Sequence, residues 1–312
     1  MKRPSIEAWA LLALLGLIWG ASFMLTKIAV ADLPPMTLVA LRLAMAAAAL
    51  SGVAAAMGAR GPRGRRLWVY AAAAGVSGAV APFWLISFAQ IHIPSAVTGV
   101  LMAPMPLLSL GFAAIFVPGE RFTALRVVGF GAGFVGVLIL VGPAALEAAG
   151  SSEGGDLTLL AYAASLGAAT CYAMNGIVVK RAEADDMFGF GAAILVTSAA
   201  IAAAIAGLTE TPDLAAVEAQ AWAATIALGL GATAAGQVLL MRIIALAGPP
   251  FFASVNYQVP LWAVVFGVAF LGEATPPGFW LALVLILSGL AAAQYGDAIG
   301  RRQGARSAPP RV

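Results

Sequence analysis

The sequence predicts an all-α integral membrane protein of ten transmembrane helices, arranged as two inverted five-helix repeats. Three observations predict it. Hydrophobic residues make up 62% of the 312-residue chain and charged residues 10%, with a mean hydropathy of +0.96, whereas a soluble domain carries about 25% charged residues. Ten separate stretches reach the roughly 20 apolar residues needed to cross a bilayer. The loops between those stretches alternate in charge.

The first stretch, 8–30, follows Lys2 and Arg3 and ends near Ala29-Val30-Ala31, which imitates a signal-peptide cleavage site. Its apolar run exceeds a signal core and Lys27 interrupts it, so it reads as a retained first helix. The others span 36–57, 67–89, 94–117, 124–142, 157–179, 187–207, 219–240, 249–271 and 277–295. Breakers separate them: Asp32-Leu33-Pro34-Pro35, the run 58–64, Pro118-Gly119 and Pro276-Pro277. The polar break 150–156 divides the chain into a first repeat over 1–148 and a second over 149–300. The remainder, 301–312, is a basic, proline-bearing tail expected to be disordered.

If the amino terminus is cytoplasmic, inner segments hold 15 of the 17 Lys and Arg, among them Arg60, Arg63, Arg65, Arg66, Arg121, Arg181 and Arg242. The opposite loops hold none, but carry Asp32, Glu147, Glu153, Asp156, Glu210, Asp213 and Glu218. This bias predicts both termini in the cytoplasm. It also explains the basic pI near 9.3 without nucleic acid as a partner. Lys27 lies near the outer end of span 1, where a long side chain can snorkel. Arg42 sits about 9 Å into span 2 at 1.5 Å per residue, a depth at which arginine is expensive and tends to face a cavity or a partner.

The rest of the composition excludes other chemistry. Cys171 and His92 are the only residues of their kinds, so no intramolecular disulfide and no Cys- or His-built metal site is expected. Asp185-Asp186 stands alone, without the second aspartate cluster that a membrane prenyltransferase needs to hold magnesium. Nothing groups a nucleophile with an acid/base pair. The chain is therefore not expected to be an enzyme, and no cofactor or metal is expected.

Shifting the chain by 153 residues lays Lys27 and Asp32 on Lys180 and Asp185, Gly119-Glu120 on Gly272-Glu273, and Gly136 on Gly289. Five spans is an odd number, so the second copy must lie inverted. Inverted repeats recur in secondary transporters, which hold substrate where the halves meet. The same shift points to the candidate substrate-binding residues: Trp19 and Ser22 in span 1 correspond to Tyr172 and Asn175 in span 6. The stretch Met102 to Pro106 falls on the region of span 9 that carries Asn256, Tyr257 and Gln258 before Pro260. Unpaired polar groups in lipid cost free energy, and the proline removes a backbone donor. One half thus offers an apolar wall and the other a hydrogen-bonding one. Trp84, Gln237 and Arg42 complete the candidates; for each, ordinary packing remains the alternative. Glu120 and Glu273 follow a glycine at a turn, where a carboxylate is expected to cap the helix that follows.

Trp19-Gly20 with Ser22 and Lys27, Leu41-Arg42-Leu43, a proline in spans 4 and 9, and the Gly-Glu of Pro118-Gly119-Glu120 and Leu271-Gly272-Glu273 together resemble EamA-type members of the drug/metabolite transporter superfamily. The resemblance covers about residues 8–296. It implies a ten-helix carrier of the bacterial inner membrane, often an exporter of amino acids or related metabolites. Pro118 stands where the family more often has leucine, and Leu195 stands where the repeat would duplicate Arg42.

The expected function is alternating-access passage of a small neutral or zwitterionic metabolite, with the lipid bilayer and the solute as partners. No acidic residue lies deep in a span, which predicts a facilitator or a carrier coupled through a group not legible here. A carrier of phosphorylated or nucleotide-linked metabolites, and a channel or scaffold, are the alternatives. The former should present several cations to the cavity, and only Arg42 and Lys27 are available. The oligomeric state is not encoded in any visible pattern.

Overall fold

The computed structural model describes residues 4–116, 124–150 and 155–307; these are helices joined by short turns, with no strand among them. Pro118, Gly119, Glu120, Arg121 and Glu153 lie outside the described residues. The helices are α1 (Ile6–Ala29), α2 (Pro35–Ala56), α3 (Arg65–His92), α4 (Ser95–Met102), α5 (Met105–Phe116) and α6 (Ala124–Gly150). They continue as α7 (Gly155–Ala182), α8 (Met187–Thr209), α9 (Ala219–Ala247), α10 (Pro249–Phe252), α11 (Val255–Leu271) and α12 (Phe279–Ser307). Seven helical segments are long and apolar enough to cross a membrane, and three shorter apolar ones are Val127–Pro143, Val255–Leu271 and Phe279–Ala293.

Local chemistry explains the boundaries. Ser5 accepts a hydrogen bond from the Ala8 N–H (3.2 Å) to cap α1, with Glu7 in its first turn and Lys27 in its last, charges that complement the helix dipole. Pro35 occupies the first position of α2, where its missing N–H is not needed. Asp186 caps α8 by accepting from Gly189 N (3.0 Å) and also receives Arg60 N (2.8 Å). These backbone donors, Gly189 first, hold its carboxyl below the usual carboxylate range.

Three features differ from expectation. Span 4 is two helices, broken at Ala103-Pro104 because Pro104 has no N–H to continue α4. Span 9 breaks at Ala253-Ser254 rather than beside Pro260, which lies inside α11. The chain turns there through short i to i−3 bonds, Asn256 N to Ala253 O and Tyr257 N to Ser254 O (both 3.2 Å). The polar triplet therefore occupies the first turn of α11, where four N–H groups lack intrahelical partners in any case. The third difference is the length of span 10: α12 runs to Ser307, past the expected end at residue 295, since no proline intervenes before Pro309, which disfavours helix in the residue ahead of it.

Two helices carry a π-helical insertion, Val76–Val80 in α3 and Ala227–Ala235 in α9. Moving the first by 153 residues gives 229–233, inside the second. Gly78 within the first insertion and Gly236 just after the second each lie against a neighbour. A Cβ on Gly78 would sit 2.5 Å from Asn175 Nδ2, and one on Gly236 would sit 2.7 Å from Trp19 Nε1.

Glycine also sets the closest helix pairs. α6 packs on α12 through Gly129 and Gly289, each of which would drive a Cβ into the other's carbonyl oxygen. α1 packs on α11 with Gly20 against Trp262 and Gly16 against Gln258. α2 lies along α8 around Leu43, Leu50, Leu195 and Ala202, all buried. In lipid, helix association depends on such close approach rather than on a hydrophobic drive. Accordingly, Gly20→Leu is expected to destabilise the detergent-solubilised protein by about 1–3 kcal/mol as overpacking, read as a lowered melting temperature. Gly176→Ala, at a position with no atom within 4 Å of an added Cβ, leaves melting unchanged.

Candidate functional site

Arg42 is the best-buried cation of the described residues, 8% exposed. Its Nε donates to Thr233 Oγ1 at 2.8 Å, and its guanidinium carbon lies 3.7 Å from the centroid of the Phe83 ring. A desolvated cation–π contact contributes about 2 kcal/mol. Thr233 is positioned by the π-helical insertion in α9. Its hydroxyl gives its single hydrogen to Leu228 O (2.9 Å), which leaves an oxygen lone pair for the guanidinium. Tyr172 of α7 lies within electrostatic reach of Arg42. No carboxylate among the described residues forms an ion pair with it. An arginine placed mid-helix in a membrane costs about 2.5–3.5 kcal/mol by insertion scales, and here a ring and one hydroxyl offset only part of that.

Trp19 joins the same group from α1. Its Nε1 donates to Ala232 O (3.1 Å), next to Thr233, and its ring meets Phe252 edge-on with centroids 6.1 Å apart. Arg42 thus stands against Phe83 of α3 and Thr233 of α9, with Trp19 of α1 bonded next to Thr233 and Tyr172 of α7 within electrostatic reach. Asn175, one turn beyond Tyr172, lies against α3, where Ser77 Oγ donates to its Oδ1 (3.3 Å). Trp19 of α1 thus meets the α9 insertion, and Asn175 of α7 meets the α3 insertion. Met102, with Met105 packed beside it, forms an apolar wall with Phe23, Ile86 and Ala168, and Tyr172 packs against that wall.

The other predicted residues are placed differently. Ser22 donates to Trp19 O (2.6 Å) along its own helix. Asn256 donates to Ala253 O (3.0 Å), so its amide serves the helix break. Gln258 lies against Gly16 in the α1–α11 contact. Tyr257 packs with Leu107, Leu290 and Phe130, away from Arg42's cluster. Gln237 lies beside Gly191 of α8. Trp84 is 38% exposed and stacks on Phe88, which in turn meets His92. Lys27, the other intramembrane cation, donates to Gln90 O and to Ile93 O (3.2 Å) at the end of α3. The groove between α11 and α12, lined by Leu261, Val264, Val268 and Trp280, is apolar and offers a polar solute no hydrogen bond.

Sequence reasoning missed Phe83 and Thr233. The available signal was slight: a lone hydroxyl within Gly229 to Gly236, and an aromatic following Pro82.

Comparison with known proteins settles the family. The model of the EamA-like transporter family matches twice, over residues 7–142 and 159–293. The chain belongs to that family. A probable terminal-alkyne amino-acid exporter of Streptantibioticus cattleyicolor is 28% identical over 284 residues, covering 90% of each chain. The uncharacterized inner membrane transporter YedA of Escherichia coli K12 is 26% identical over 289 residues, covering 91% of this chain and 90% of its own. A solved crystal structure shares the fold with a TM-score of 0.63 at 24% identity, covering 92% of this chain and 96% of its own. This EamA-like protein is a transporter of a multi-pass membrane type.

Removing the Thr233 hydroxyl tests the anchoring of Arg42. Thr233→Val is expected to cost about 1–3 kcal/mol, the penalty for a buried charged donor left unpaired, visible as a drop in melting temperature. Arg42→Met/Thr233→Val is expected to recover most of that loss.

Proposed function

We propose that this EamA-like protein carries a small zwitterionic metabolite, an amino acid or close relative, by alternating access between two oppositely oriented five-helix halves. The observation that carries the proposal is Arg42: a buried guanidinium with no carboxylate partner among the described residues, set where helices of both halves meet. A substrate carboxylate would complete it through charge-assisted, bidentate hydrogen bonds. The Phe83, Tyr172 and Trp19 rings offer apolar surface for a side chain, and Asn175, one turn beyond Tyr172, supplies a further polar group. The name of the Streptantibioticus relative, an amino-acid exporter, supports the same class.

Several facts support the two-half architecture. Seven long and three shorter apolar helices among the described residues match in number the ten crossings that this reading needs. The family model matches each half separately. The π-helical insertions fall at equivalent positions. The charge bias of the loops favours cytoplasmic termini, and the inner membrane is where the Escherichia coli relative is named to reside. A phosphate-ester carrier is disfavoured because Lys27 already spends its donors on the Gln90 and Ile93 carbonyls, leaving Arg42 as a single cation.

The test is counterflow by purified protein in liposomes against a panel of labelled amino acids. Saturable uptake, accelerated by unlabelled solute inside, is expected for a carrier; flux linear in concentration would indicate a channel and reject the proposal. Arg42→Gln is expected to raise KM at least tenfold for substrates with a free carboxylate. It should leave uptake of the corresponding amides, where measurable, within about twofold, a difference of about 1 kcal/mol or more between the two classes. Equal loss for acid and amide would remove Arg42 from substrate recognition.

A further inference from the structure

At one end of the bundle, two distant parts of the chain gather exposed cations. The turn into α3 supplies Arg60, Arg63, Arg65 and Arg66, and the end of α7 supplies Lys180 and Arg181, all of them exposed. Tertiary contacts hold the two segments side by side. Asp186 accepts from Arg60 N (2.8 Å), and Gly189 lies so close to the Arg60 carbonyl that an added Cβ would overlap it. Arg66 Nη2 donates to Arg181 O (3.2 Å), and Ala71 of α3 packs with Ala182 of α7. Carboxylates neutralise little of this charge. Asp186 is engaged by two backbone N–H groups, and Glu183 meets Arg66 only at 3.7 Å with both side chains largely exposed. Asp185 is exposed, and among the described residues no carboxylate forms an ion pair with Arg60, Arg63, Arg65, Lys180 or Arg181. Arg242, by contrast, is held by Glu7 through hydrogen bonds of 2.9 and 3.3 Å.

Apolar surface continues directly from these cations. Arg65, Trp68 and Val69 stand at i, i+3 and i+4 on α3 and so share one face, and Val76 continues it two turns beyond Val69. Trp68, Val69 and Val76 are 44%, 59% and 41% exposed. The stripe thus begins among the arginines and runs into the membrane-spanning segment Arg65–His92. A tryptophan in the first turn of such a segment sits at headgroup level, where its amphipathic ring is favoured. We propose that segments 60–66 and 180–181 form a binding surface for the headgroup of an anionic phospholipid, whose acyl chain lies along Trp68, Val69 and Val76. The guanidinium groups offer the phosphodiester paired N–H donors, and the Lys180 ammonium adds charge. The stripe accepts the chain that a free anion lacks. Basic segments at the cytoplasmic face draw anionic lipid, and the charge bias of the loops places this end there. Only that choice of leaflet depends on the two-half reading above; the surface itself needs no more than α3 in the bilayer. On that reading the two segments belong to different halves, so a bound headgroup joins the halves at this end.

The experiment reads lipid binding rather than transport, so its failure is separable from failure of the substrate assignment. Purified protein in dodecyl maltoside micelles is titrated with phosphatidylglycerol or phosphatidylcholine brominated on the acyl chains, and tryptophan quenching is followed. The Trp68 signal is the difference between each protein and its Trp68→Phe counterpart. Half-quenching of Trp68 is expected at a mole fraction of phosphatidylglycerol at least fivefold lower than that of phosphatidylcholine. Raising salt from about 0.1 M to 1 M, which shortens the screening length from about 10 Å to 3 Å, is expected to remove most of that preference. Arg63→Gln/Arg65→Gln/Lys180→Gln/Arg181→Gln is expected to bind both lipids alike. Should it not purify, Arg63→Gln/Arg65→Gln and Lys180→Gln/Arg181→Gln are each expected to lower the preference at least twofold, while Arg242→Gln leaves it unchanged. Soluble glycerol phosphate is expected not to displace the lipid. Equal quenching by the two lipids in the parent, a preference that ignores salt or the Gln variants, the same loss in Arg242→Gln, or displacement by glycerol phosphate overturns the proposal.

Discussion

The first N–H groups and the last carbonyls of a helix have no partner within it, and this constraint organises the structure. Side chains from elsewhere in the chain supply what is missing. Glu210 takes the first N–H groups of α2, Glu273 those of α4, and Lys27 the last carbonyls of α3. Because the two glutamates come from the second half and the helices from the first, satisfying the backbone also joins the halves. Each bond is charge-assisted and so stronger than its neutral equivalent.

The interior is held by a different means. Glycines let α1 meet α11 and α6 meet α12 at backbone distance, where dispersion contacts replace the hydrophobic drive that lipid removes. The π-helical insertions in α3 and α9 add a residue to the turn, and so re-aim the side chains beyond them. In α9 that turn presents Ala232 O to Trp19 and the Thr233 hydroxyl to Arg42. The charged centre of the protein thus depends on an irregularity in a helix that carries no charge there.

This arrangement also explains why Arg42 has no counterpart in the second half, where Leu195 packs in the α2–α8 core. Two buried guanidinium groups without carboxylates would double the desolvation cost. A single one leaves one buried cation under the Phe83 ring, and Met102 and Met105 lie in a separate apolar cluster with Phe23 and Tyr172.

The sequence by itself determined that the chain is a membrane protein and where its apolar stretches lie. Each of these follows from composition and spacing, because lipid admits few backbone solutions and each needs a long apolar run. It also identified Arg42, since a cation at that depth is conspicuous, and the turn at Gly272, which adopts a left-handed φ of 66°. Only the tertiary structure decided the partners. Glu273 was expected to serve the next helix and serves α4 instead, and the amide of Asn256 donates to the carbonyl of Ala253 at the helix break. Phe83 and Thr233 carry no distinctive pattern because a ring or a hydroxyl becomes a site only when a distant helix brings a charge to it. Periodicity and composition record which groups must be buried, but partner choice is settled by how helices far apart in the chain approach one another, which local residue patterns do not encode.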